Sequence, residues 1–139
     1  MSSALPFRVG VSGSREGMTP AQRDDMHQFL SDIVSENKGR ELFFHHGDCI
    51  GVDADSAAMA RELGFIIVAH PPIKDIYRAF HDSDIIIPVK DYFDRNRDIV
   101  DLSDEMFGVP KSITDTRSGT WYTIKYAQKN NKLITIIEP

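Results

Sequence analysis

The sequence predicts an α/β fold, an open and mainly parallel sheet with helices on both faces, formed as one domain over residues 1–139. Two observations carry that expectation. Strand-like apolar runs alternate along the chain with stretches of helical length and pattern, which is how parallel strands joined by helical crossovers read in sequence. One of these runs, Phe65–Ala69, is apolar throughout, as a strand buried on both faces requires.

Each element has its own local reason. Phe7–Val11 alternates as a short strand and ends in the small turn Ser12-Gly13-Ser14-Arg15. Thr19-Pro20-Ala21-Gln22 is a capping box with proline at the first helical position, so a helix starts there. Met26, Phe29, Leu30, Ile33 and Val34 fall on one face of that helix, and Asn37-Lys38-Gly39 stops it. Leu42–His46 reads as the second strand and runs into Gly47-Asp48-Cys49-Ile50-Gly51. An alanine-rich helix follows over Asp53–Leu63, ended by Gly64, and Pro71-Pro72 ends the strand Phe65–Ala69. Between residues 73 and 90 the pattern gives a helical piece over Asp75–His81 and a short strand over Ile85–Ile87. The rest reads as helix Tyr92–Ser103, strand Glu105–Val109, loop Lys111–Arg117, helix Gly119–Asn130 and strand Leu133–Ile137.

Composition narrows the function classes. A net charge of −5 argues against a broad basic face for nucleic acid, yet leaves room for a few arginines around a small anion. The single cysteine, Cys49, fits a reducing compartment without a disulfide framework. The opening Met-Ser-Ser-Ala-Leu-Pro lacks a charged and then apolar leader pattern, and the longest apolar run, Gly64–Ala69, is too short to span a bilayer. The expectation is a cytoplasmic protein with no membrane partner.

In open parallel sheets, ligands bind beyond the carboxyl ends of the strands, so the chemistry belongs in four places. The turn Gly13-Ser14-Arg15 allows close backbone approach to a phosphate, although its helix is already capped by Thr19 and Gln22. The second, Gly47-Asp48 through Asp53, crowds His, Asp and Cys. His45 and His46 are adjacent on a strand and point to opposite faces, and the ligand spacing of a metal site is missing, so neither a metal nor a cofactor is expected. Asp53 and Asp55 read as a cap and a partner for the helix dipole. Asp53 also suits a sugar hydroxyl.

The third place is the helix Tyr92–Ser103. A helical projection puts Tyr92, Phe93, Ile99 and Val100 on one face with Asn96 near its middle, and Arg95 and Arg97 at the edges. The fourth is Arg117-Ser118-Gly119-Thr120-Trp121. This helix start carries no acid in its first turn, so its free N–H groups and Arg117 favour an anion. Trp121 or Tyr122 would either stack on a base or pack in the core.

These four segments, in this order after these strands, resemble the SLOG superfamily, a Rossmann-like group that includes DprA (Smf) and the LOG phosphoribohydrolases. The resemblance rests on Gly13-Ser14-Arg15, His46-Gly47-Asp48 through Gly51-Val52-Asp53, Phe93–Ile99 with Leu102-Ser103, and Ser118-Gly119-Thr120. It implies a nucleotide-derived ligand, with phosphate near Gly13, Ser14, Arg15, Arg97, Arg117, Ser118, Gly119 and Thr120. Gly47, Asp48, Asp53 and Asn96 would then meet its sugar or base. It also suggests a homodimer. LOG enzymes carry P-G-G-x-G-T-x-x-E, whose glutamate takes part in N-glycosidic cleavage, and Thr123 stands at that position here. The expected function is therefore binding of a nucleotide or nucleotide-derived molecule. An N-glycosidase of the phosphoribohydrolase kind, using Asp48, Asp53 or Arg97 instead, is one alternative. A DprA-like single-stranded DNA module is the other, although nucleic acid is a poor match to the acidic charge.

Overall fold

The computed structural model describes residues 5–139, and these form a six-stranded sheet in the order β4-β3-β2-β1-β5-β6. The elements are β1 (Phe7–Gly13), α1 (Pro20–Glu36), β2 (Leu42–His46), α2 (Val52–Glu62), β3 (Ile66–Ala69), β4 (Ile85–Ile86), α3 (Tyr92–Leu102), β5 (Glu105–Val109), α4 (Gly119–Lys129) and β6 (Leu133–Ile136). Every neighbouring pair is parallel, so the sheet is wholly rather than mainly so. Among the described residues, no helix is long and apolar enough to cross a membrane.

Helices cover both faces. Met26, Leu30 and Ile33 of α1 and Val52, Ala57 and Ala60 of α2 join Val9, Val11, Phe44 and Phe107 in one core cluster. On the other face Ile99 and Val100 of α3 and Ala127 of α4 pack with Met106. The α1 face is as the projection expects except at Phe29, which is part-exposed and stacks on Phe107 at 5.5 Å. Chain order reverses between β1 and β5, which makes their carboxyl ends the switch point where a crevice opens.

The capping box forms, and its glutamine does more than cap. Gln22 Oε1 accepts from the Thr19 N–H at 3.0 Å, and its Nε2 donates to the carbonyls of Pro110 at 2.8 Å and Ile137 at 3.0 Å. This buried amide ties the start of α1 to the end of β5 and to the C-terminal strand. Gln22→Leu leaves those groups buried and unpaired, and is expected to cost about 3 kcal/mol. Urea denaturation reads it, and an unchanged midpoint would refute the role.

Residues 75–81 do not form the expected helix. Their backbone is spent on the loop after β2 instead: Ile50 N donates to Tyr77 O at 2.9 Å, Ala79 N donates to Asp48 O at 2.7 Å, and Cys49 pairs with Arg78 in an antiparallel bridge. Tertiary pairing has displaced local propensity, and the segment lies as a strap across the carboxyl end of β2.

Candidate functional site

A cleft of about 830 Å³ opens at the switch point, and all four sequence segments contribute to it. Gly13, Ser14 and Arg15 form one rim. The turn is pinned to its neighbours, since Ser14 N donates to Val109 O at 3.1 Å and Ser14 O accepts from Val52 N at 3.0 Å. The Arg15 guanidinium lies over the Tyr77 ring at 3.8 Å. Lys111, paired with Glu16 at 2.5 Å, sits nearby on the same rim.

The floor comes from the loop after β2 and from α3. The Asp53 carboxylate is buried and accepts from Gly47 N at 3.1 Å and Cys49 N at 3.3 Å. It therefore closes this loop and does not cap its own helix. The N-cap of α2 is Gly51, with no side-chain cap bond, because the start of α2 is held by the Val52–Ser14 backbone bond. Burial pushes the Asp53 carboxyl up to about 6, against the pull of Arg95 and its two N–H donors. Burial and the adjacent Asp53 likewise push the Cys49 thiol up.

Arg95 is the residue the helical projection placed at an edge and the structure places inside. Its side chain is 3% exposed, donates from Nη1 to the Gly47 carbonyl, and brings Nη2 within 3.7 Å of Cys49 Sγ. Its Nε has no hydrogen-bond partner among the described residues. Gly47 is what makes room, since a Cβ there would lie 1.6 Å from Arg95 Nη1. Asn96 is also buried and lines the cleft. Tyr92 and Phe93, expected on the inner face with Ile99 and Val100, are half-exposed and overhang the cleft instead.

The start of α4 is the opposite rim. Ser118 caps the helix, accepting from Trp121 N at 3.3 Å, and the N–H groups of Gly119 and Thr120 precede the first bonded turn at the cleft wall. Its first turn holds no acid. Trp121 donates from Nε1 to Ser112 O at 2.7 Å and so fixes the preceding loop, while Tyr122 packs on Phe93 at 4.5 Å. Thr123 Oγ1 is turned back onto the Gly119 carbonyl at 3.1 Å.

Three residues that the sequence reading placed at the ligand lie elsewhere. Asp48, with φ of 55°, turns its carboxylate under the strap, where it pairs with Arg78 at 2.7 Å and accepts from His81 N at 2.8 Å. Arg97 bonds Asp94 and the Tyr122 hydroxyl on the outer side of α3. Arg117 is exposed and chelated by Asp115 at 2.9 and 3.0 Å. Conversely Lys111, Tyr92 and the strap residues Ile73, Ile76 and Tyr77 line the cleft without having been singled out as ligand contacts, and Arg95, read together with Arg97 as an edge arginine of α3, is the one of that pair that lines it. For Arg95 the signal was its adjacency to Asn96. For the strap there was none, because its course depends on Asp48.

His45 and His46 do point to opposite faces. His45 Nδ1 meets His70 Nε2 at 2.8 Å, whereas His46 contacts Ser83 Oγ at 3.0 Å and accepts from Asp48 N at 2.9 Å.

No protein-family model matches the sequence, and a search of curated proteins gives no match. Solved structures do share the architecture. The molybdenum cofactor binding protein of the phototrophic bacterium Rippkaea orientalis superposes with a TM-score of 0.70 at 24% identity, covering 99% of this chain and 79% of that one. Two structures of the Moco carrier protein of Chlamydomonas reinhardtii superpose with TM-scores of 0.64 and 0.63 at 19% and 18% identity, each over 96% of this chain and 78% of theirs. At these identities the likeness is one of fold.

Proposed function

We propose that the cleft binds a small organic anion, a nucleotide or nucleotide-derived molecule. Its phosphate would lie between the Ser118–Thr120 helix start and the Gly13–Arg15 turn. Asn96, Gly47 and Asp53 would face its sugar or base. The observation that carries this reading is the start of α4: free backbone N–H groups with no acid in the first turn open on a cleft whose floor holds a buried arginine. Structural neighbours named for the molybdenum cofactor support small-molecule binding in general, and that cofactor belongs on the test panel beside nucleoside phosphates and ADP-ribose.

Calorimetric titration tests the reading. Gly119→Asp sets a carboxylate at the helix start and pushes its Cβ against the Tyr92 hydroxyl, so affinity is expected to fall about tenfold or more. Arg97→Ala and Arg117→Ala, whose side chains are engaged outside the cleft, are expected to bind as the parent does. Silence from the whole panel at millimolar concentration would sink the proposal.

One observation favours a second reading as an enzyme. Asp53 is a cleft carboxyl with its pKa raised to about 6, the range that suits a general acid in N-glycosidic cleavage, whereas Thr123 cannot serve as one. Release of free base from a nucleotide, abolished by Asp53→Asn, is its requirement. Release that survives Asp53→Asn would remove Asp53 from that role.

A further inference from the structure

Four cationic side chains line the cleft: Arg15, Lys74, Arg95 and Lys111. Three of them are engaged. Arg15 lies over the Tyr77 ring, Arg95 donates to the Gly47 carbonyl, and Lys111 pairs with Glu16. Lys74, on the strap, is exposed and has no side-chain partner among the described residues. An ammonium held at a cleft with no acid bonded to it can meet the charge of whatever anion the cleft receives.

The backbone that carries Lys74 is held at both ends and loose between them. On one side Ile73 N donates to Lys90 O at 3.1 Å and Lys90 N donates to Pro71 O at 3.4 Å. On the other, the Tyr77 carbonyl accepts from Ile50 N, and Asp48 holds Arg78, Ala79 and His81. The Asp48 carboxylate accepts from Arg78 Nε at 2.7 Å and from His81 N at 2.8 Å, and its carbonyl accepts from Ala79 N at 2.7 Å. Between these anchors the amides of Lys74, Asp75 and Ile76 donate to nothing among the described residues, and Ile76 is 77% exposed. Anchored ends, unbonded amides and few buried contacts mark a segment whose local movement takes little free energy.

We propose that residues 74–76 are an arc that closes over the occupied cleft, with Lys74 as the residue that reads the ligand's negative charge and Asp48 as the residue that positions the arc. Closure gives the Lys74 ammonium an anionic partner and shields Ile76 from water. Asp48 does not touch the ligand in this arrangement and acts through the strap. The inference rests on the anion reading above and adds a moving part to it.

Hydrogen exchange of the full chain, with and without saturating AMP, tests the arc directly. The amides of Lys74 and Ile76 are expected to exchange about tenfold or more slowly in the complex. Lys74→Gln is expected to bind AMP about tenfold more weakly, chiefly through faster dissociation, and Lys74→Arg to stay within about threefold of the parent. Asp48→Asn keeps a residue tolerant of the φ of 55° while removing the charge that holds Arg78. It is expected to speed exchange at Ala79 and His81 and to weaken AMP binding by no more than Lys74→Gln does. Combined with Lys74→Gln, it is expected to lose no further affinity. AMP bound with unchanged exchange at residues 74–76, or bound equally by Lys74→Gln, would overturn the inference and leave the anion site standing. Losses that add in the double variant would remove Asp48 from its positioning role. No binding of AMP at millimolar concentration would overturn the nucleotide reading and this inference with it.

Discussion

Gly51→Ala is expected to lower the melting temperature by about 10 °C or more, a loss of about 3 kcal/mol in a domain of this size. Gly51 sits at φ 88° and ψ −128°, a conformation that L residues rarely adopt, and a Cβ there would lie 2.4 Å from the Arg15 carbonyl oxygen and 2.6 Å from that of Ser14. Those are backbone atoms of the first cleft turn, so they cannot swing aside as a side-chain tip would. The same contact lets Val52 N reach Ser14 O at 3.0 Å and starts α2 without a capping side chain. Gly39 supplies the control. It has φ of 84° but open space around it, so Gly39→Ala carries backbone strain alone, about 1 kcal/mol. Equal shifts for the two variants would show that the close packing of the two turns contributes nothing.

This packing also shows where the sequence was legible. Helix starts announced themselves through local chemistry: Thr19 with Gln22, and Ser118 ahead of Gly119, form the caps their residue types imply. Strand and helix periods placed the two core layers, and the resulting alternation placed the cleft at the carboxyl ends of β1 and β5. Asp53 looked like a cap because it stands at a helix start, yet its carboxylate is drawn backward by Gly47 N and Cys49 N. Nothing within the helix itself encodes that direction.

The charged residues were the least legible, for one physical reason. Arg95, Arg97 and Arg117 are the same side chain in three environments. Arg95 is swallowed beside a glycine that leaves room for it, Arg97 finds Asp94 one turn back, and Arg117 finds Asp115 two residues away. A local acid decides the last two, and that pattern was readable. The fate of Arg95 depends on Gly47, distant in sequence, and the course of the strap depends on Asp48 in the same way. Long-range partners of this kind define the cleft floor and the strap beside it, which is why their course emerged only from the structure.

The strongest dependence expected of the folded protein is on pH, and it comes from histidines that do not line the cleft. Burial drives His45 and His46 down to about 3 and His70 to about 4, helped at His45 by His70 and at His46 by His81. All three are neutral in the fold, while in the unfolded chain they take up protons below about 6.5. Their contribution is present above that value and is lost as the pH falls toward 4 and then 3. Asp53 works the other way: its pKa is raised to about 6, so its contribution is present at low pH and lost as the pH rises through 6. Near pH 5 three imidazoles against one carboxyl leave the unfolded chain ahead by about two protons, a slope of about 3 kcal/mol per pH unit. Between pH 7 and pH 5 the protein is therefore expected to lose about 4 kcal/mol, a large part of the stability of an ordinary domain. Urea denaturation at the two pH values measures it. A midpoint that does not move would mean that these imidazoles are protonated in the fold, and that the His45–His70 contact is not the neutral pair its burial demands.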